Sequence, residues 1–334
     1  MERVNQRILN IFCGGSISMA TDAKTGAAAP RYGPEQLIGL DDRITQFGTI
    51  QQFELCNLDS TEMEPTHWSS LVDAISYRYD EFDSFVITTG TNTLSYLSSA
   101  ISFALQGIGK PVLVTGSQIP AEKPHSDARS NFVNALRVCS EDLSGVFVVF
   151  GSKIIRGCRA KKMSESELDA FASFNSRNFA DIGVKIVFRE KAPRHARPFQ
   201  AINGFENRVC SLTLVPGMSS EVFRVLIDGG MRGIILRAFG SGDVPTALVP
   251  GLRYAREHEV PVIVTTQCPH GVTSLGINAV SYASLDEGVV EAFDMSMEAM
   301  TTKLMWLLHQ AVPYEKLREL MQDNLVGEIY PSHT

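Results

Sequence analysis

The sequence has little of what marks nucleic-acid-binding, secreted or membrane proteins. Its 334 residues carry a formal net charge of -7, and no run of lysine and arginine is long enough to follow a phosphate backbone. No apolar stretch reaches the roughly 18 residues that a membrane-spanning helix needs. The first apolar run ends at Gly14 and Gly15, which is typical of a strand and not of a signal peptide. We therefore expect a cytoplasmic protein with no nucleic-acid or membrane partner.

Metal, disulfide and nucleotide sites have equally little support. The six cysteines are widely separated and include no CxxC pair, which favours buried free thiols over disulfides. The histidines show no HxxxH or HxH spacing, so the sequence predicts no metal site. The segment LQGIGKP has proline where a phosphate-binding loop requires serine or threonine, and CGGSIS lacks the spacing of dinucleotide-binding loops.

What the sequence does have is an alternation of strand and helix patterns. Continuous apolar runs predict strands that are covered on both faces of a mainly parallel sheet, as in ILNIFC, SFVITT, PVLVTG, GVFVVFG and VKIVF. Helical spacing lies between them, and the alternation restarts after the proline-containing segment REKAPRHARPFQ. We predict an α/β protein with a larger N-terminal parallel-sheet domain over 1–188, an interdomain connection over 189–212 and a smaller C-terminal α/β domain over 213–334.

Four polar loops follow predicted strands of the first domain: CGGSISM, CNLDSTEM, TTGTNT and GSQIPAEKPHSDARSN. Open parallel sheets bind ligands beyond the carboxyl ends of their strands. Any one loop is explained by a side chain that caps the next helix, but four together favour a site. Lys161 and Lys162 are either a solvated surface pair or contain one general base, because burial lowers the pKa of a lysine.

The order of these motifs resembles type I, cytoplasmic-type bacterial L-asparaginases. The likeness runs through GGSI, DSTEM, TGTNT, GSQIP, SDARSN and RGCRAKK, and it continues in LTLVPGMSSEVF, GIILRAFGSGD, TTQCPHG and MTTKLMW. It covers nearly the whole chain. The resemblance implies an amidohydrolase that cleaves the side-chain amide of asparagine through an acyl-enzyme, releases ammonia and needs no cofactor. It also implies a homodimer or homotetramer whose active sites lie near subunit interfaces.

The resemblance assigns roles to individual residues. The threonine nucleophile of the family falls on Ser16, and its Thr-Lys-Asp trio falls on Thr91, Lys162 and Asn92. The sequence leaves open whether the hydroxyl of Ser16 or that of Thr91 attacks first. Tyr32 is the candidate for the tyrosine that closes a mobile lid over TDAKTGAAAP, although it follows Ser16 at a longer interval than the family pattern. The positions that correspond to substrate binding come from several loops and are Gly15, Ser60, Thr61, Gly90, Asp243 and Tyr32.

Three positions depart from the family pattern. Ser16 replaces threonine, which keeps the nucleophilic oxygen and removes the β-methyl group. Asn92 replaces an aspartate that holds the α-ammonium group of the substrate. Since that ionic hydrogen bond contributes about 1.5–3 kcal/mol, we expect free L-asparagine to bind poorly. Asp243 stands where asparagine is common, and our hypothesis is that Asp243 of the partner subunit restores the missing carboxylate.

Three interpretations of the function are open. The first is an amidohydrolase that acts on a modified asparagine-like amide, and the second is a true asparaginase in which Asp243 compensates for Asn92. The third is a catalytically altered homologue that binds an amino-acid-like ligand or acts in a biosynthetic pathway. Retention of Ser16, Thr91 and Lys162 argues against the third. A tRNA-dependent amidotransferase subunit is favoured least, because no additional module precedes the first predicted strand.

Overall fold

The computed structural model describes residues 6–21, 26, 28–39, 41–196 and 198–330. Contacts divide the chain into two compact units, of which the first ends at Asn203 and the second begins at Gly204. The segment 189–196 is anchored on the first unit, where the Arg194 guanidinium donates to the carbonyl oxygens of Asp83 and Cys139. Residues 209–212, at the end of the predicted connection, lie in the first strand of the second unit.

The first unit is built from short helices around strands of very different lengths. Its helices are α1 (Glu35–Ile38), α2 (Pro65–Tyr77), α3 (Leu94–Ala104) and α4 (Ala128–Val138). Its strands are β1 (Arg7–Gly14), β2 (Met19–Thr21), β3 (Ala28–Pro30), β4 (Thr49–Leu58), β5 (Ser84–Thr88), β6 (Pro111–Thr115), β7 (Gly145–Phe150), β8 (Lys153–Arg156), β9 (Ala160–Lys162), β10 (Phe171–Ser173), β11 (Ala180–Ile182) and β12 (Ile186–Phe188).

Eight of these strands form one sheet in the order β12-β11-β8-β7-β6-β5-β1-β4. The five neighbouring strands β7, β6, β5, β1 and β4 pair in parallel. Strands β8, β11 and β12 extend the sheet with antiparallel pairs. The core on one face packs α4 against the parallel strands, with Phe12, Val86, Leu113, Phe132 and Phe147 fully buried or nearly so. Two small antiparallel pairs, β2 with β3 and β9 with β10, lie outside the main sheet.

The strand predicted over VKIVF forms, but the expectation that both of its faces are covered is wrong. It is β12, an antiparallel strand at the sheet edge, and its Val187 side chain is 60% exposed. Ile186 and Phe188 pack against the core, since alternate residues of a strand point to opposite faces.

The second unit is a smaller α/β layer with its own core. Its strands are β13 (Val209–Thr213), β14 (Gly233–Ala238), β15 (Val262–Thr266) and β16 (Val290–Glu291), which pair in parallel in that order. Its helices are α5 (Glu221–Asp228), α6 (Val249–Glu257), α7 (Ala279–Asp286), α8 (Met297–His309) and α9 (Tyr314–Gln322). The buried cluster joins β14 and β15 to α5 and α6 through Phe223, Leu236, Leu252 and Val264.

The sheet order brings the predicted polar loops together. Because β6, β5, β1 and β4 are neighbours and run in parallel, the loops after them leave the same edge of the sheet. None of the described helices is long and apolar enough to cross a membrane.

Candidate active site

Three loops at the carboxyl edge of the sheet meet at two glycines, Gly15 and Gly90. Gly15 has a φ of 87°, and a Cβ atom placed on it would lie 2.0 Å from the Gly90 nitrogen. A Cβ atom on Gly90 would lie 2.5 Å from the Ser60 hydroxyl oxygen. Only glycine fits both positions, because one needs the left-handed region and both lack room for a side chain. Ser16 and Thr91, each the next residue along the chain, therefore flank this contact.

Ser16 begins a single 3-10 turn directly after β1. The half-buried Ser16 is held by that turn, in which the Ser18 amide donates to the Gly15 carbonyl oxygen at 2.9 Å. The buried Ser18 hydroxyl donates to the same carbonyl at 2.8 Å and bonds Asn57 Oδ1 at 3.0 Å. Ser18 was not predicted as a site residue, because the sequence shows nothing more there than a hydroxyl two positions after Ser16.

The loop after β4 is tied to the loop after β5. The Asp59 carboxylate caps the turn by accepting the Thr61 amide at 2.8 Å. The buried Ser60 hydroxyl accepts the Asn92 amide at 3.2 Å, and the Thr93 hydroxyl donates to the Ser60 carbonyl oxygen at 2.7 Å. Ser60 and Thr61 are thereby fixed beside Thr91 and Asn92.

The Lys162 amine reaches both residues that sequence reasoning had grouped with it. It donates to Thr91 Oγ1 at 2.8 Å and to Asn92 Oδ1 at 2.9 Å. Burial lowers the pKa of Lys162, and the negative charge of Glu165 opposes that shift in part. A lysine amine with a lowered pKa, in contact with a hydroxyl, can accept a proton from it.

The side-chain amide of Asn92 is oriented by two partners. Its oxygen accepts Lys162, and its nitrogen donates to Thr61 Oγ1 at 3.2 Å. The group thus presents N–H donors where a carboxylate would present only acceptors.

Of the two adjacent lysines, Lys162 is the one that faces the site. It pairs with Phe171 across the β9–β10 hairpin. The Lys161 amine instead lies 5.4 Å from the centre of the Phe174 ring, as a cation over an aromatic face. The opposite directions follow from the alternation of side chains along a strand.

The loop after β6 braces the segment that carries Lys162. The nearly buried Asp127 carboxylate accepts the Gln118 and Ile119 amides at 3.0 Å and the Asn131 side chain at 2.8 Å. The Gln118 side chain then donates to the carbonyl oxygens of Glu165 and Glu167, each at 3.1 Å. The motifs GSQIP and SDARSN did not predict these positioning roles, because most of the bonds go to backbone atoms.

Tyr32 connects the region after the nucleophile loop to the same β6 loop. Its hydroxyl donates to Glu122 Oε2 at 3.2 Å, and its carbonyl oxygen accepts Asn57 Nδ2 at 3.1 Å. Residues 22–25 and 27 of the predicted lid lie outside the described residues. Glu122 was not predicted as a site residue, and its only signal in the sequence is that it lies in the same predicted loop as GSQIP.

Asp243 lies in the second unit. Its carboxylate accepts the Asn278 side chain at 2.7 Å, and its backbone forms a short bridge with Phe239. The hypothesis that Asp243 of the partner subunit compensates for Asn92 stays a prediction. Within the described ranges, no group of three or more histidine, cysteine or acidic side chains could hold a metal ion.

Comparison with known proteins follows the two units closely. The family described as "Asparaginase, N-terminal" matches residues 7–194, and "Glutaminase/Asparaginase C-terminal domain" matches residues 208–321. The L-asparaginase of Thermococcus kodakarensis is 35% identical over 97% of this chain and 99% of its own. One subunit of the glutamyl-tRNA(Gln) amidotransferase of Pyrococcus horikoshii is 32% identical over 95% of this chain and 75% of its own.

Solved structures agree with these matches. L-asparaginase I from Vibrio cholerae superposes with a TM-score of 0.89 at 32% identity, covering 98% of this chain and 100% of that one. The fold, the hydroxyl-lysine site and these matches define an amidohydrolase. The chain belongs to the asparaginase family. The family resemblance, the α/β fold and the enzyme class predicted from the sequence are confirmed.

Proposed function

We propose that this enzyme hydrolyses the side-chain amide of asparagine, or of a modified asparagine-like substrate, through a hydroxyl nucleophile and an acyl-enzyme. The observation that carries the proposal is the 2.8 Å contact between the Lys162 amine and Thr91 Oγ1. Burial lowers the pKa of this amine, so a neutral lysine is available as a base at lower pH than for an exposed lysine.

Ser16 is the proposed nucleophile. Thr91 passes the proton of the Ser16 hydroxyl to the neutral Lys162 amine while the Ser16 oxygen attacks the amide carbon. The tetrahedral intermediate collapses by breaking the carbon–nitrogen bond, the departing nitrogen takes that proton and leaves as ammonia, and a Ser16 ester remains. Water then attacks the ester, and the acid product leaves as Ser16 regains its proton.

Backbone amides of the two glycine-containing loops are the proposed oxyanion donors. The Thr91 amide, which follows Gly90, makes no hydrogen bond within the described part of the chain, so it can donate to a developing charge. Donors that are already fixed in place stabilise the oxyanion without reorganising. The close contact of Gly15 with Gly90 holds this geometry.

The substrate preference follows from Asn92. Ser60 and Thr61 are the proposed contacts for the substrate carboxylate, because the hydroxyls of both hydrogen-bond to Asn92. The Asn92 amide has no charge with which to hold an α-ammonium group and offers donors instead. A substrate whose α-nitrogen is acylated, or absent, fits this arrangement better than free L-asparagine.

The test is ammonia release from L-asparagine, D-asparagine, L-glutamine, succinamate and N-acetyl-L-asparagine under one set of conditions. Turnover confined to succinamate or N-acetyl-L-asparagine is the expected result. Strong turnover of L-asparagine would instead support the true asparaginase in which Asp243 of the partner subunit compensates. Analytical ultracentrifugation tests the accompanying proposal of a homodimer or homotetramer.

A second candidate rests on the similarity to the amidotransferase component of Pyrococcus horikoshii. In that case the chain is a catalytically altered homologue that binds an amino-acid-like ligand or acts in a biosynthetic pathway. If the folded protein releases ammonia from none of the five amides, this candidate is favoured.

A further inference from the structure

Two cysteines face each other directly behind the loops of the candidate site. In the parallel pair of β1 and β4, Phe12 is opposite Glu54 and Gly14 is opposite Leu58. One residue, Cys13, therefore opposes the three residues 55–57 at a bulge, and Cys56 is the middle one. The Cys56 thiol donates to the carbonyl oxygen of Cys13 at a sulfur–oxygen distance of 3.7 Å.

The surroundings give the two thiols different chemistry. Cys13 is buried, whereas Cys56 is partly accessible. A hydrogen bond from the Cys13 thiol stabilises the Cys56 thiolate and lowers the Cys56 pKa, against the opposing effects of burial and Glu54. The same contact and full burial raise the pKa of Cys13. A partly accessible thiol with a lowered pKa, next to a buried second thiol across a bulge, is the arrangement of an oxidant-sensing pair, because the more accessible sulfur reacts first as its thiolate and the neighbour resolves it.

We propose that Cys13 and Cys56 are a modification site at which a peroxide forms a disulfide that controls the neighbouring active-site loops. The Cys56 thiolate attacks one peroxide oxygen, the oxygen–oxygen bond breaks, and a sulfenic acid and hydroxide form. The Cys13 sulfur then attacks the Cys56 sulfur, its proton leaves with the sulfenic oxygen as water, and the sulfur–sulfur bond forms. Hydrogen peroxide is reduced to water while the two thiols lose two electrons.

The disulfide affects the site because the backbone next to Cys13 packs tightly against the end of β4, so a change at the cysteines displaces both segments. The Gly15 amide donates to the Leu58 carbonyl oxygen at 2.8 Å, and a Cβ atom on Gly14 would lie 2.5 Å from the Leu58 nitrogen. A disulfide fixes its sulfur atoms about 2.05 Å apart with a narrow range of torsion. Closing it changes the local fit of β1 against β4, and this shift moves Ser16 relative to Ser60.

The effect on activity rests on the proposed function, but formation of the disulfide does not. The full chain is treated with hydrogen peroxide, then alkylated and digested without reductant, and peptides joined through Cys13 and Cys56 are measured by mass spectrometry. We expect the linked peptide in the wild type, its absence in Cys56→Ser and wild-type behaviour in Cys268→Ser, whose cysteine is exposed. Oxidation of other cysteines without this link would overturn the modification site.

Ammonia release by the same samples tests the control of activity. We expect a loss on the order of 10- to 100-fold on oxidation, which dithiothreitol reverses and Cys56→Ser escapes. A linked peptide with unchanged activity would overturn the regulatory role. Should the protein release ammonia from none of the five amides, the proposed function fails while the linked peptide alone decides on the modification site.

Discussion

The Lys162 amine contacts a hydroxyl and an amide oxygen, and Glu165 is the acidic residue whose charge acts on it. Its pKa thus reflects two opposed influences, burial that lowers it and Glu165 that raises it. A base works in its deprotonated form, so the rate should rise with pH as Lys162 loses its proton and then level off.

Glu165→Gln should shift this rising limb of the pH–rate profile to lower pH. Removing the negative charge leaves burial unopposed, which lowers the pKa of Lys162 further. The measurement is kcat/KM for the best amide substrate across pH, with Glu167→Gln as the neighbouring control. A limb that moves to higher pH, or that moves equally in the control, would contradict the assignment of Lys162 as the base.

Asn92→Asp should raise kcat/KM for L-asparagine relative to N-acetyl-L-asparagine by about 10- to 100-fold. The reason is that a carboxylate at this position gives an ionic hydrogen bond of about 1.5–3 kcal/mol to an α-ammonium group. The measurement is the ratio of the two rate constants in wild type and variant. An unchanged ratio would show that Asn92 does not set the preference.

The same site allows a test of Asp243. If Asp243 of the partner subunit supplies the missing charge, Asn92→Asp combined with Asp243→Asn should be better tolerated than either change alone. Kinetics of the four proteins form a double-mutant cycle, and simple additivity would count against the coupling.

At the scale of elements, the site depends on the close approach of the turns after β1 and β5. Gly15→Ala should abolish most activity, with a loss of about 100-fold or more, because the new methyl group would lie against the Gly90 backbone. Gly217→Ala is the matched control, since Gly217 has a φ of 83° and nothing within 4 Å of an added Cβ atom. Both variants carry the strain of a left-handed residue, so an equal loss in both would remove the role of the contact.

The elements also show how far sequence reasoning extends. The buried runs of β1, β5, β6 and β7 are predicted well, because strands inside a parallel sheet are covered on both faces and therefore mostly apolar. The same rule fails at β12, whose run is apolar although it lies at the sheet edge with one face in solvent. Pairing partners decide that difference, and they are distant along the chain.

The candidate site, like the fold, was predicted from the sequence only in part. The family resemblance grouped Lys162 with Thr91 and Asn92, and in the structure the Lys162 amine contacts both other side chains. The bracing by Asp127 and Gln118 could not be predicted, because most of their hydrogen bonds go to backbone atoms, which any residue supplies. A side-chain pattern carries no record of such bonds.

At the scale of the whole molecule, each unit has its own core, and the second contains a fully buried ion pair. The Lys303 amine lies 2.7 Å from Glu328 Oε1 and also donates to the carbonyl oxygens of Met321 and Asp323. The Glu328 carboxylate in turn accepts the backbone amides of the chain just before it, including that of Leu325. The pair fixes the last described segment to α8.

Lys303→Met should destabilise the second unit by about 3–5 kcal/mol, because it leaves the Glu328 carboxylate buried without its cation. Hydrogen exchange measured by mass spectrometry should show lost protection in peptides from 204–330. Lys316→Met is the control, since its ion pair with Glu319 is exposed and contributes little. Equal loss of protection in the two variants would contradict the role of the buried pair.

Locating the acyl group during turnover tests the proposed nucleophile most directly. The enzyme is mixed with whichever amide releases ammonia, quenched in acid within the turnover time, digested and analysed by mass spectrometry. A Ser16 nucleophile predicts the mass of the acyl group on the peptide that contains Ser16. An acyl group on the Thr91 peptide, with none on Ser16, would contradict the proposed nucleophile and reverse the roles of the two hydroxyls.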